Sequence, residues 1–371
     1  MSSLIRTRHW ALAAALLASF SAARADDRAP SAPVPAPVTP GVAAADPVKA
    51  LAERCRYVPA AFEMTVADPI RFGPAVLVEK LTFPSPVASV DPERNDVVKA
   101  KLFRTESPEP ALVVFLGGWR FDPATPALAA RFAEETGVQA LYLDLPFQGE
   151  RTPRGKKPGQ LTFSEDLEQN LATFAQAAQD VERAVDWMVR ERKVDPKRLA
   201  IVGTSLGGYV AADLYGLSDR FSAAVVQIAG GDVASVVFNG NFLTVRIREA
   251  LVARGLDEDA VRERMRPLDP ATWARKERRD GLLLIAAEKD EIVPLDTVKA
   301  LAEAYGGARL VVMDDSGHMN PKGLESHFSE AVEHLRKRLL PAREPLTGAG
   351  APATPPGPVA PAPAPPVPAT R

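Results

Sequence analysis

Cysteine is nearly absent from the 371 residues. Cys55 is the single thiol, so no intrachain disulfide can form and the fold must hold by its core. Histidine is almost as scarce, with only His9, His318, His327 and His334. Neither residue type clusters, so the ligand spacing of a zinc site is missing and no metal or organic cofactor is expected. Charge of one sign is not in excess either: Lys plus Arg number 45 against 47 for Asp plus Glu. A dedicated nucleic-acid binder concentrates positive charge on one face. The local basic clusters, Arg151 to Lys157 and Arg275 to Arg279, read instead as solvated loop or helix faces. A long hydrophobic run is lacking as well. The apolar stretch Trp10 to Phe20 is about eleven residues, too short to cross roughly 30 Å of hydrocarbon, so no stable membrane anchor is expected.

That short stretch has another reading. Arg6, Arg8 and His9 precede it, and Ala23-Arg24-Ala25 follows with small residues, the pattern of a secretory signal (residues 1–25) cleaved after Ala25. The expected location is therefore secreted or periplasmic. Proline and alanine dominate residues 26–50 and again 341–371, and such compositions bury too little apolar surface to offset the entropy of ordering. They read as a linker and a tail. Residues 51–340 remain, enough for one large domain.

Within that domain, apolar runs alternate with helical patterns. Strands are expected at Ala75–Phe83, Val97–Thr105, Ala111–Leu116, Val138–Leu143, Leu199–Val202, Ala223–Ala229, Leu282–Ala286 and Arg309–Met313. Helices are expected at Pro123–Thr136, from Ser164 to about Lys193, Leu206–Gly216, Pro294–Tyr305 and Pro321–Leu340. This rhythm predicts an α/β protein with a mostly parallel central sheet and helices on both faces. Residues 231–280 break the rhythm with mainly helical character and read as a lid insertion.

The segment Leu199 to Tyr209 is a strand that breaks into Gly203-Thr204-Ser205-Leu206-Gly207 and continues as a helix. Glycines there let strand and helix close tightly around a serine, which is how a weak hydroxyl nucleophile is presented to a base. Two segments follow in order: Ala287-Glu288-Lys289-Asp290-Glu291-Ile292-Val293-Pro294 and Asp315-Ser316-Gly317-His318. Taken together, these motifs resemble the α/β-hydrolase superfamily. The stretch Asp180 to Tyr209 is similar to dienelactone-hydrolase-like and prolyl-oligopeptidase-like serine esterases.

Candidate roles follow from the chemistry. Ser205 needs a base to accept its proton. His9 leaves with the signal, and His327 and His334 lie seven residues apart on one face of the last helix, so His318 is the candidate base. Asp290, in the loop where the superfamily places its acid, is the candidate for orienting that base, with Glu288, Glu291, Asp314 and Asp315 as rivals. Oxyanion donors are expected from the Leu206 amide and from Gly117-Gly118-Trp119-Arg120, where Gly117 replaces a histidine common in the superfamily. That replacement leaves Gly118 and Trp119 both open, with Trp119 favoured. Gln148 and Arg151, in a loop that opens on the active-site side in relatives, are candidate substrate contacts, as are Phe238 and Phe242 of the lid.

These features predict a serine hydrolase acting on a small-molecule carboxylic ester through an acyl-enzyme. Two alternatives stay open: a serine peptidase of prolyl-oligopeptidase type, and a non-catalytic binding protein that keeps the fold. Oligomeric state is not legible from the sequence.

Overall fold

A computed structural model describes residues 46–340, apart from Phe121, Phe242 and residues 320–323. The signal and both Pro/Ala-rich segments read from the sequence lie outside the described residues, except that the linker's last five, 46–50, fall inside. There the structure corrects the expected domain start. Helix α1 spans Pro47–Cys55, with Asp46 as its N-cap accepting from the Val48 amide, so residues 47–50 belong to a helix rather than to the linker.

Short strands β1 (Thr65–Val66) and β2 (Ile70–Phe72) come next, followed by β3 (Val76–Pro84), β4 (Val97–Arg104) and β5 (Glu109–Leu116). Helix α2 (Ala124–Thr136) stops at Gly137, whose φ of 73° suits the left-handed cap, and leads into β6 (Val138–Leu143). The long helix α3 runs Leu167–Glu191. It begins three residues later than the sequence suggests, because Asp166 caps it while Ser164 is tied to the Asn170 amide group. Then come β7 (Leu199–Thr204), α4 (Leu206–Leu217) and β8 (Ala223–Gln227). An insertion of three short helices, α5 (Val233–Asn239), α6 (Val245–Ala253) and α7 (Glu258–Met265), precedes β9 (Leu282–Ala287), α8 (Leu295–Ala304), β10 (Arg309–Met313) and α9 (Leu324–Leu339).

The strands form one ten-stranded sheet in the order β1-β3-β4-β6-β5-β7-β8-β9-β10, with β2 also paired to β3. From β6 to β10 every pairing is parallel, and the pairings of β1 to β4 are antiparallel. Parallel strands buried on both faces need continuous apolar sequence, which β5, β7, β8 and β9 supply. Alternate residues then serve opposite cores. In β5, Leu112, Val114 and Leu116 join the layer holding α3, α4 and the insertion, while Ala111, Val113 and Phe115 join the layer holding α2 and α9. The chain leaves β5 for β6 on one side and returns to β7 on the other. Strand order therefore reverses between β5 and β7, and a crevice opens beyond their carboxyl ends.

Helix α9 closes one face, and His334 on it is buried with Nε2 3.0 Å from the Gly281 carbonyl. The ring donates there as a neutral imidazole. Burial holds its pKa below the ordinary value near 6.5, reinforced by Arg338, Arg309 and Lys337. The unfolded chain thus takes up this proton first, so the histidine's contribution to stability is complete above pH 6.5 and declines as pH falls through the lower native pKa. Urea unfolding at pH 7.5 and 5.5 is expected to show a smaller loss in His334→Gln than in the parent, since glutamine keeps a donor but cannot ionise.

Candidate active site

Backbone geometry at the end of β7 places the serine. Ser205 sits at φ 51° and ψ −120°, a conformation L-residues rarely adopt, with its amide bonded to the Gln227 carbonyl at 2.8 Å. The turn is possible because its neighbours carry no side chains. A Cβ on Gly203 would lie 2.1 Å from the Gly207 oxygen, and one on Gly207 would lie 2.4 Å from the Leu116 oxygen. Helix α4 therefore starts directly over the carboxyl ends of β5 and β7.

His318 reaches the same point from the loop after β10. Its Nε2 is 2.9 Å from Ser205 Oγ, and its Nδ1 is 2.8 Å and 3.0 Å from the two Asp290 oxygens. A carboxylate can only accept, so Nδ1 carries the hydrogen and Nε2 is left to accept from the serine hydroxyl. Asp290 is itself fixed by the Ile292 and Val293 amides, which donate to Oδ1 at 2.9 Å and 2.7 Å. Its rivals are otherwise engaged. Glu288 accepts from the Asp315 amide, Asp315 pairs with Lys289, and Glu291 accepts from the amides of His318 and Met319. Burial acts to raise the Glu291 pKa, but these backbone donors and the His318 charge hold it below the usual range. Glu291 thus holds the histidine loop's backbone, a role the sequence reading did not give it.

A cavity of about 100 Å³ opens beside Ser205. Trp119, Leu206 and Phe163 border it on the nucleophile side, Phe174 and Ala177 come from α3, and Val233, Val236 and Val237 come from the insertion. The Trp119 indole donates to the Gly159 carbonyl at 2.7 Å and stacks edge-on against Phe163, which fixes that wall.

Residues 154–337, just under half of the chain, match the prolyl oligopeptidase family model. Among solved structures, an acetyl xylan esterase from Paenibacillus sp. R4 superposes with a TM-score of 0.58 at 18% identity, over 79% of this chain and 93% of that one. Acetyl xylan esterase 1 from Thermoanaerobacterium sp. JW/SL YS485 gives 0.57 at 17% identity, over 78% and 92%. A puromycin-hydrolyzing peptidase of Mycobacterium tuberculosis gives 0.51 at 16% identity, over 71% of this chain and 46% of that one. The chain has the α/β-hydrolase fold. No curated protein matches its sequence significantly. The family match supports a hydrolase.

Around Ser205, several expected contacts need correction. The Gly118 amide donates to Asp122 Oδ2 at 2.7 Å and is not available to a substrate oxygen, whereas the Trp119 and Leu206 amides make no hydrogen bond among the described residues. Asp122 also caps α2 through the Ala124 and Thr125 amides, so one carboxylate secures both the helix and the loop after β5. Arg151 is wholly buried (0% exposed) and pairs with Asp180 at 2.8 Å. It also donates to the Asn95 and Asp144 carbonyls, so it braces the fold and touches no substrate. Gln148 is buried and outside the cavity wall, and Phe238 packs against the core rather than lining the cavity. Phe242 lies outside the described residues. The thiol of Cys55, read as an ordinary residue at the domain edge, is buried, and burial followed by the nearby Asp213 charge pushes its pKa up to about 12.

One wall residue was not singled out from the sequence. Asp213 of α4 is 0% exposed, lines the cavity, and has no partner for either carboxylate oxygen among the described residues. Burial and then the neighbouring Asp269 carboxylate push its pKa well above the usual range.

The corrected reading of Arg151 is open to measurement. Arg151→Met strands Asp180 without its counter-charge and is expected to destabilise by about 3–5 kcal/mol. Adding Asp180→Leu should recover most of that loss in chemical denaturation. A substrate-contact role for Arg151 would instead leave stability intact.

Proposed function

We propose that the protein is an exported serine hydrolase that cleaves carboxylic esters through an acyl-enzyme on Ser205. The observation that carries this reading is the unbroken line of hydrogen bonds from Asp290 through His318 to Ser205, opening on an apolar cavity. Ser205 Oγ attacks the ester carbonyl as its proton passes to His318 Nε2. Asp290 stabilises the imidazolium from the far side of the ring. Negative charge collects on the former carbonyl oxygen and is met by the free amides of Leu206 and Trp119. Collapse of the tetrahedral species expels the alcohol, which takes the His318 proton. Water, deprotonated by the same nitrogen, then attacks the acyl-enzyme, releases the acid and restores Ser205. The mechanism needs no external oxidant or reductant.

The prolyl oligopeptidase match favours one further reading, cleavage of an amide by the same groups. An ester and an amide with identical acyl groups separate the two, and the ester is expected to be turned over faster. Ser205→Ala, His318→Ala and Asp290→Asn should each lower kcat for p-nitrophenyl acetate by about 10⁴-fold or more, and the Ser205 and His318 losses should not add in the double variant. Full activity in Ser205→Ala would end the proposal. Export is a separate matter, supported by the basic, apolar and small-residue order of residues 1–25. Sequencing the amino terminus of protein collected outside the cytoplasm should return Asp26, and a retained Met1 would contradict it.

A further inference from the structure

Helix α4 follows the nucleophile, so residues at fourfold spacing after Ser205 share one face. Tyr209 and Asp213 fall in that row, and both line the same cavity as Ser205. Along this row the wall changes character. Apart from Ser205 and a few hydroxyl and amide groups, the cavity is apolar, and its wall also holds a carboxyl group with two oxygens unpartnered among the described residues. Buried acids are almost always paired or hydrogen-bonded. Here the charge that bears on Asp213 is a second carboxylate, Asp269, whose own oxygens are taken by the amides of Ala271 and Val233. Among the described residues no Lys, Arg or His lines the cavity, and the ester-cleaving steps described above make no use of Asp213.

Resting on the esterase reading, we propose that Asp213 is a specificity residue that receives a protonated amine at the far end of the substrate's acyl chain. The geometry also sets the chain length. Eight residues at the rise of an α-helix put Asp213 about 12 Å along the helix from Ser205. Five methylenes separate a carbonyl carbon from an amine nitrogen by roughly 7–8 Å. With an attack distance of about 3 Å at one end and a charge-assisted hydrogen bond of about 2.8 Å at the other, the span comes to about 13 Å, the axial rise combined with the sideways drift of two positions eight residues apart. The methylenes lie against Phe174, Val210 and Val237, which suits an unbranched alkyl chain. The substrate class is therefore an ω-aminoacyl ester of about six carbons.

The test compares p-nitrophenyl 6-aminohexanoate with p-nitrophenyl heptanoate, which puts a methyl group where the ammonium would be. The full chain is expected to favour the amino ester at least tenfold in kcat/KM, and Asp213→Asn should cut that ratio at least tenfold. A parent preference for heptanoate, or a ratio untouched by Asp213→Asn, overturns the assignment. Calorimetry on the parent protein gives a readout independent of catalysis and of whether the variant folds. There 1-hexylammonium should bind at least tenfold more tightly than 1-hexanol, and equal or weaker binding overturns the assignment. Turnover of p-nitrophenyl acetate by the parent reports the esterase reading alone. If acetate is not hydrolysed but hexylammonium still binds selectively, the esterase reading fails and the cation site stands.

Discussion

The contact on which the site depends is the close approach of helix α4 to the ends of β5 and β7. Gly203 and Gly207 permit it, since a single added carbon at either would fall far inside contact distance of backbone atoms. This approach holds Ser205 at a positive φ and turns its hydroxyl out of the sheet toward the crevice. It also brings the Leu206 amide to the start of a helix, where no carbonyl of its own helix can reach it. Nucleophile and anion site therefore come from one backbone event. The strain at Ser205 persists because the parallel strands on either side are fully buried and hydrogen-bonded along their length.

Around that contact the supporting loops are held by carboxylates bonded to backbone amides. Asp122 holds the loop after β5, Asp290 holds the turn after β9, and Glu291 holds the loop carrying His318. Each uses a charged acceptor on N–H donors, which makes a shorter and stronger bond than a neutral pair. The loop after β5 is fixed separately, while the adjacent Asp290 and Glu291 fix the turn after β9 and the loop carrying His318 together. On the α3 side, the buried network of Asn95, Arg151, Gln176 and Asp180 ties the loop after β6 to the long helix and backs the cavity wall.

Much of this was legible in the sequence, for reasons that particular residues show. The parallel strands are continuous apolar runs because both faces are buried, so Ala111–Leu116 and Leu282–Ala286 declare themselves. Ser205, Asp290 and His318 stand out because histidine is so scarce and because each follows a strand. Legibility fails where a role depends on a partner far along the chain. Arg151 and Gln148 follow Pro146 in a loop that looks solvent-facing. Nothing local reveals that Asp180, on another element, draws the arginine inward. The sequence leaves the Gly118 amide open beside the favoured Trp119, and only the fold shows it bonded to Asp122. Strands β1 and β2 are two and three residues long, too brief for any alternation to register.

Asp213 escaped notice for a related reason. Within Val210-Ala211-Ala212-Asp213-Leu214-Tyr215 a lone acid reads as the polar stripe of an amphipathic helix. Yet α4 is packed on nearly all sides, and the stripe faces a cavity instead of water. A buried carboxyl without a counter-ion weakens a fold, and packing alone would favour an apolar residue of the same size. Local rules of this kind are most often broken at functional sites, where stability is given up for chemistry. The violation here lies on the helix that presents the nucleophile and shares its cavity. Because Ser205 caps the helix that carries Asp213, in a turn fixed by close backbone contacts, their separation cannot adjust to the ligand. Any selectivity built on the pair must then fall on the length of the chain between them.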